Sequence, residues 1–250
     1  MGEKLALTGM VLLAVPIGEN DKRVVILTKE RGKISAFAKG ARRQNSSLLA
    51  AANPFSFGTF YCYEGRSSYN LVQADIDQYF SELHTDFEGA YYGFYFLEFA
   101  DFYSGENNDE SQMLNLLYVS LRALVRGTPD HVLVRYIYEL KAMVINGEYP
   151  QVFSCLECGR EDGLAAYWPA RESLVCSGCA AGQNGLLTLS GSTVYTLQYI
   201  ISAPLNKLYS FTVTREVFTE LKMVMERFRS RHIEKKFKSL EVLNTILREQ

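Results

Sequence analysis

The alternation of apolar and polar positions divides the chain near residue 80. Before that point the periods are short. Leu5 to Ile17 is rich in Val, Leu and Ile, with Gly9 a candidate bulge or bend, and a turn at Gly18-Glu19-Asn20-Asp21 leads into a second strand from Arg23 to Thr28. After a turn at Glu30-Arg31-Gly32, the stretch Lys33 to Lys39 alternates with nearly period two. Ile34, Ala36 and Ala38 face one way, and Lys33, Phe37 and Lys39 face the other. Phe57 to Glu64 and Tyr69 to Ala74 flank a turn at Gly65-Arg66-Ser67-Ser68. Five short strands in about eighty residues suit a small closed barrel. An oligonucleotide-binding (OB) barrel is the economical choice, with an SH3-like barrel or an open meander as alternatives.

Beyond residue 80 the period lengthens. Thr85 followed by Glu88 reads as a capping box that starts a helix running through the aromatic stretch to Tyr103. Ser104 to Asn108 resembles a loop. Residues 110–125 and 131–146 carry apolar side chains at helical spacing, with Pro129-Asp130 ahead of the second segment. Leu133, Ile137, Leu140 and Val144 share one face there, with Tyr136 and Met143 at its margin as packing residues. Thr193 to Ser202, Thr212 to Arg229 and Ser239 to Arg248 are also helix-like. The expected class is mixed α and β: an N-terminal OB-fold barrel over 1–80, and a mainly helical C-terminal domain over 81–250. A four-cysteine zinc module at about 150–185 lies within the helical part.

That module rests on Cys155, Cys158, Cys176 and Cys179, two C-x-x-C knuckles separated by seventeen residues. Two thiolates two residues apart grip one ion from a tight turn, and a second pair closes a tetrahedron. Gly159 and Gly178 stand where such turns favour a residue tolerant of unusual backbone angles. The expected occupant is one Zn2+ per chain. Rubredoxin-like iron and free or oxidised cysteines are the alternatives. Four protein ligands leave no open position, so the role is structural rather than catalytic. Trp168 and Pro169, between the knuckles, are expected to cover the cluster. Cys62, with no partner in sequence and no nearby histidine, reads as a reduced, packed side chain.

Composition changes this picture mainly through charge. The 250 residues are 48% hydrophobic and carry a net charge of only -2, which conceals a segregation. Residues 1–50 hold nine basic against four acidic side chains, residues 75–110 hold ten acidic and no Lys or Arg, and residues 201–250 hold ten basic against six acidic. No secretory signal is expected at the start, and the aromatic run at 91–97 is too short for a membrane span. Around the third strand, Lys29, Arg31, Lys33, Lys39, Arg42 and Arg43, with Arg66 in the later turn, can follow a phosphate backbone. A solvated face or an acidic protein partner would account for them otherwise. Tyr61, Tyr63 and Tyr69 offer stacking surfaces for single strands, or else barrel packing.

With the Gly32-Lys33 turn, Lys39-Gly40-Ala41-Arg42-Arg43, Ser46-Ser47-Leu48, the two cysteine pairs and Lys235-Lys236-Phe237-Lys238-Ser239-Leu240, the chain resembles the RecO family of bacterial DNA repair and recombination mediators. These landmarks span nearly its full length. The resemblance implies binding of single- and double-stranded DNA and annealing of complementary strands. It also implies cooperation with RecR in loading the recombinase RecA onto DNA covered by single-strand-binding protein. The implied location is the bacterial cytoplasm, at the nucleoid. The chain reads Lys238-Ser239-Leu240 where the family has a more arginine-rich form.

An annealing protein needs no bond-making centre, and none is evident. No Walker loop is present, His84, His131 and His232 are dispersed, and Asp75 and Asp77 lack further carboxylates at a spacing that would make a magnesium site. The expectation is an ATP-independent DNA-binding and strand-annealing protein, not an enzyme. A zinc-stabilised RNA-binding protein, a nuclease of nucleic acids and a scaffold using the acidic helical region are the other readings.

Overall fold

The structure, a computed structural model, describes residues 3–249. Five strands form the closed barrel: β1 (Lys4–Ile17), β2 (Asp21–Thr28), β3 (Gly32–Ala38), β4 (Phe57–Glu64) and β5 (Tyr69–Gln78). Their order around the barrel is β1-β2-β3-β5-β4, the strand order of an OB-fold. The β3–β5 pairing is parallel and the others are antiparallel. A short helix, α1 (Leu48–Ala51), joins β3 to β4 and contributes Leu48 and the following Ala52 to the barrel core. That core takes alternate residues of each strand, among them Leu7, Val24, Ile26, Phe60, Cys62 and Leu71. Ile34, Ala36 and Ala38 point into it as their alternation requires, while Phe37 between them is 41% exposed.

Two local expectations need correction. The bulge of β1 lies between Val11 and Leu13 rather than at Gly9, where a Cβ would collide with the Leu27 carbonyl oxygen. The helix after the barrel, α2 (Phe87–Tyr103), is capped by Asp86, whose Oδ1 accepts from the Gly89 N–H at 3.0 Å. Thr85 lies one residue too early. It ends a preceding 3-10 turn, Ser81–Thr85, and its hydroxyl donates to the Glu82 carbonyl.

The loop after α2 clips onto the β2–β3 turn. The Lys33 N–H donates to the Gly105 carbonyl at 2.9 Å, and the Asn107 N–H donates to the Arg31 carbonyl at 3.0 Å. Gly32 sits under this clip at φ +63°, and a Cβ there would approach the Gly105 oxygen to 2.5 Å. Gly32→Ala is therefore expected to lose at least about 2 kcal/mol, from both the left-handed backbone and the collision. Denaturant melts followed at the barrel would check this, and a loss under 0.5 kcal/mol would show that the clip opens freely.

Packing separates the chain into two compact units. One takes the described part of Met1–Val125 with Phe237–Gln250, and so groups the barrel with α2 and α3 (Ser111–Arg126); the other is Arg126–Lys236. The second unit starts with α4 (His131–Ile145), N-capped by Asp130. This helix is not amphipathic as expected: every residue from Leu133 to Met143 is buried, including Arg135, Glu139 and Lys141. The charges are tolerated because they are paired. Arg135 Nε lies 2.8 Å from Glu139 Oε1, and Arg229 Nε is 3.9 Å from Oε2. The Lys141 ammonium donates to the carbonyls of Ile201 and Ala203 at 2.7 and 2.8 Å, closing a helix C-terminus with a cation.

Next in the second unit come β6 (Leu164–Trp168), β7 (Ser173–Cys176), α5 (Ser177–Ala180) and β8 (Leu187–Thr188), with sheet order β7-β6-β8. Two helices follow, α6 (Gly191–Ser202) and α7 (Arg215–His232). Glu220 of α7 accepts from the N–H and hydroxyl of Ser190, the N-cap of α6. The chain then returns to the first unit. Its last helix, α8 (Lys238–Glu249), packs on α2, with the Phe237 ring 5.2 Å from Tyr95 and 5.5 Å from Phe99, and with the Ser239 hydroxyl donating to Glu98. Among the described residues, no helix is long and apolar enough to cross a membrane.

Candidate metal centre and nucleic-acid interface

The β6–β7 hairpin, which occupies the seventeen residues between the knuckles, brings the cysteine pairs together. Cys155 and Cys158 lie on a turn closed by two backbone bonds: the Gly159 N–H donates to the Cys155 carbonyl at 2.9 Å and the Cys155 N–H donates to the Arg160 carbonyl at 2.7 Å. Gly159 takes φ +74° there, where a side chain would be strained. Cys176 ends β7, and α5 turns Cys179 back toward it. Gly178 is part of that helical turn and needs no unusual angle, contrary to expectation. Trp168 does not cover the cluster from within the hairpin either. It pairs with Ser173 at the far end of β6, whereas Leu164 is the residue opposite Cys176.

All four sulfur atoms lie within 4.8 Å of one another, and this is the one group of three or more metal-capable side chains among the described residues. A tetrahedral ion with bonds of about 2.3 Å to sulfur needs sulfur–sulfur edges of about 3.8 Å. Cys158 Sγ and Cys176 Sγ are 3.8 Å apart. The donor set therefore fits a soft, four-coordinate dication. Burial opposes ionisation of Cys155, but the N–H groups of Cys176, Cys158 and Glu157 outweigh it and bring the thiol down to about 6. The Cys179 N–H lowers Cys176 in the same way, while hydrogen bonding to Cys176 and Cys158 pushes Cys179 up to about 12. Backbone donors thus favour a thiolate in each knuckle, and a cation is needed to ionise the whole set. Cys62 is separate: it is buried in the barrel core, and burial pushes its thiol up to about 12.

The module is tied to α7 through the tip of its hairpin. Glu172, at φ +51°, accepts from Arg231 Nε at 2.8 Å and lies 3.1 Å from His232 Nε2. Gln151 extends β7 from the other side, its carbonyl accepting from the Leu174 N–H.

The basic residues of the barrel fall into two groups at opposite ends of β3. Arg31, Lys33 and Arg66 border a groove of about 180 Å³ together with Ser35, Tyr69, Glu64 and Glu106. Arg31 and Arg66 are exposed, as is Lys29 nearby in sequence. Lys33 is committed elsewhere in part, since its ammonium donates to the Asp101 carbonyl at 2.6 Å and lies 3.2 Å from the Asp101 carboxylate. At the other end of β3, Lys39, Arg42 and Arg43 are exposed beside the β1–β2 turn. Arg42 is held to that turn by its N–H on the Asn20 carbonyl and its guanidinium on the Gly18 carbonyl, each at 2.9 Å.

The three tyrosines do not gather on this strand. Phe60 and Cys62 point inward, so Tyr61 and Tyr63 project outward from β4, which borders β1 and β5 but neither β2 nor β3. The Lys4 ammonium lies 4.6 Å from the Tyr61 ring centroid, and a hydrogen bond from the Tyr61 hydroxyl to Asp75 raises the phenol's pKa. Tyr69 packs against the core and lines the groove. The exposed aromatic ring between the two basic groups is Phe37, with Arg23 opposite it on β2. Neither was singled out from the sequence, although the outward register of Phe37 was already visible in the alternation of β3.

Comparison with known proteins covers both units. The family model for the N-terminal part of recombination protein O matches residues 1–80, and the model for its C-terminal part matches 84–241. The chain is similar to a protein named DNA repair protein RecO from Acetivibrio thermocellus, at 29% identity over 97% of each chain. It is also similar to the proteins of the same name from Alkaliphilus metalliredigens, at 30% identity over 95% of this chain and 98% of the relative, and from Bacillus pumilus, at 28% over 94% and 92%. Both family models and these full-length relatives agree, and the chain belongs to the RecO family.

Proposed function

We propose that this protein binds single- and double-stranded DNA and anneals complementary single strands without ATP, as a mediator of repair and recombination. In the same proposal it works with a RecR partner to load RecA onto DNA covered by single-strand-binding protein, in the bacterial cytoplasm at the nucleoid. It makes and breaks no covalent bond. Residues 1–80 are the DNA-binding part and 81–250 the helical part, and a single structural Zn2+ is held by Cys155, Cys158, Cys176 and Cys179.

What carries this reading is the OB-type barrel with cationic side chains at both ends of one strand, in a chain matched by RecO models along most of its length. Lys29, Arg31, Lys39, Arg42, Arg43 and Arg66 displace counterions from phosphates, with Lys33 contributing less because Asp101 holds it. Lowering the repulsion between two strands is all that annealing asks of the protein, since base pairing supplies the favourable free energy.

The test is a time course of annealing with labelled complementary strands, bare and covered by single-strand-binding protein, without nucleotide, followed by recombinase loading with and without RecR. Acceleration in both reactions is expected, with each strand intact after incubation in magnesium. Saturable binding with no acceleration in either would reject the mediator role. Neutralising Arg42 and Arg43 to Ala should weaken binding and lower the salt slope for single strands by about 1.4, two phosphates at about 0.7 each. An unchanged slope in a folded variant would move the phosphate contacts elsewhere.

A further inference from the structure

Along the outer surface of the barrel the register lines up one row: Val15 of β1 opposite Arg23 of β2, Arg23 opposite Phe37 of β3, and Phe37 beside Asn70 of β5. Side chains in register share a face, and the burial of Val24, Ala36 and Ala38 shows that this face is the outward one. Phe37 is 41% exposed and Val15 45%, with Leu13 at 48% in the next row of β1. Arg23 is not free to swing, because its Nε donates to the Ser35 hydroxyl at 2.8 Å and this holds the guanidinium down along β3. A large aromatic ring thus stands exposed near the C-terminal end of β3, flanked by a tethered guanidinium and aliphatic side chains, on a barrel whose core is filled without it.

Its position supplies the reason. The two basic groups stand at the ends of β3, roughly 25 Å apart by strand rise from Arg31 to Lys39. Phe37 lies between them. A strand of nucleic acid running from Arg31 and Arg66 to Lys39, Arg42 and Arg43 passes over the Val15–Arg23–Phe37 row. The phosphates of that strand meet cations at both ends, and the bases between them meet an apolar, aromatic surface near the Lys39 end. Only an unpaired base presents a free π-face to such a surface, because the bases of a duplex are stacked on one another and turn phosphates outward.

We infer that Phe37, with Arg23 and Val15 beside it, is a stacking platform for unpaired bases and the feature by which the barrel prefers single-stranded DNA to duplex. This rests on the DNA-binding reading above and deepens it. The cations bind either form of DNA, whereas the ring recognises only the single strand. Tyr61 and Tyr63, the obvious aromatic candidates by composition, take no part because β4 lies away from β2 and β3.

The experiment is fluorescence anisotropy of the full chain with a labelled oligothymidine and with a hairpin duplex of equal phosphate number, each across a salt series. Phe37→Ala is compared with wild type, Phe37→Trp and the Arg42/Arg43 double variant. Thermal melts confirm that each is folded, which the exposure of Phe37 favours. Phe37→Ala should bind oligothymidine about tenfold more weakly, the loss of one stacked base, with duplex affinity and both salt slopes unchanged. Phe37→Trp should retain or exceed wild-type affinity for the single strand. Equal weakening for single strand and duplex, or a reduced salt slope, would overturn the platform and leave Phe37 as a shape residue. Wild-type binding by Phe37→Ala, with weakened binding by the Arg42/Arg43 variant, would overturn stacking while the phosphate surface stands. If neither variant changes binding, both assignments fail together.

Discussion

Replacing Cys155 and Cys176 together by Ala is expected to unfold Arg126–Lys236. One cysteine from each knuckle is lost, so neither half can hold an ion alone, and all four sulfurs belong to this unit. The hairpin they enclose is small: β6 has five residues, β7 four and β8 two. Such a sheet is too short to stand by itself. A structural zinc is worth about 10–16 kcal/mol in zinc-finger peptides, comparable with the total stability of many domains at about 5–15 kcal/mol. Amide hydrogen exchange should show protection lost across residues 151–190 first, and a chelator should reproduce the pattern in the wild-type protein. Native protein prepared without added metal should contain about one zinc per chain. A double variant with wild-type protection, or a native protein that is folded and free of metal, would end the structural-zinc assignment.

Glu139→Ala should be nearly as disruptive through an unrelated cause. The Glu139 side chain is fully buried and lies between Arg135, at 9% side-chain exposure, and Arg229, at 23%. Removing the carboxylate leaves the Arg135 charge in a place that water scarcely reaches, and breaking a buried pair this way costs about 3–5 kcal/mol. Removing the charge together with its partner costs less. Arg135→Met combined with Glu139→Leu should regain part of the loss, since charge and countercharge leave together and both replacements are apolar. Urea midpoints of the three proteins decide the matter. Glu139→Ala within 1 kcal/mol of wild type would mean that the cluster is hydrated and adds little.

Neither Arg135 nor Glu139 stands out in the sequence, and the reason is physical. At four residues apart they read as an ordinary surface ion pair, and nothing local distinguishes a pair facing solvent from one facing α7. The same holds for Lys141, whose partners are the carbonyls of Ile201 and Ala203, and for Lys33, whose partner Asp101 is 68 positions away. Strands were easier. In β3 the inward residues are Ile34, Ala36 and Ala38, and period two appears in the sequence because the barrel buries one side of the strand only. Helical spacing located α4 as well, at His131–Ile145 against an expected 131–146, but it hid the burial of the charged positions Arg135, Glu139 and Lys141 between the apolar ones. The four cysteines stand out because thiolate pairs at that spacing have few other uses, whereas the short strands between them carry too few residues to show a period. In the barrel, residue type marked the cations, but their separation into two groups follows from the length of β3.

One consequence of the α2–α8 contact concerns synthesis. Ser239 and Glu98, which meet in the finished protein, are 141 positions apart. Ribosomes add about 5–20 residues per second, so α2 spends roughly 7–28 s outside the tunnel before its partner helix emerges. During that interval the rings of Tyr95 and Phe99, which Phe237 will cover, face water or another nascent chain. Chaperone holding of the emerging chain should matter most over those seconds. Messages with slow codons after position 126 should yield more aggregated product than messages of the same length slowed before position 87, where α2 has not yet been made.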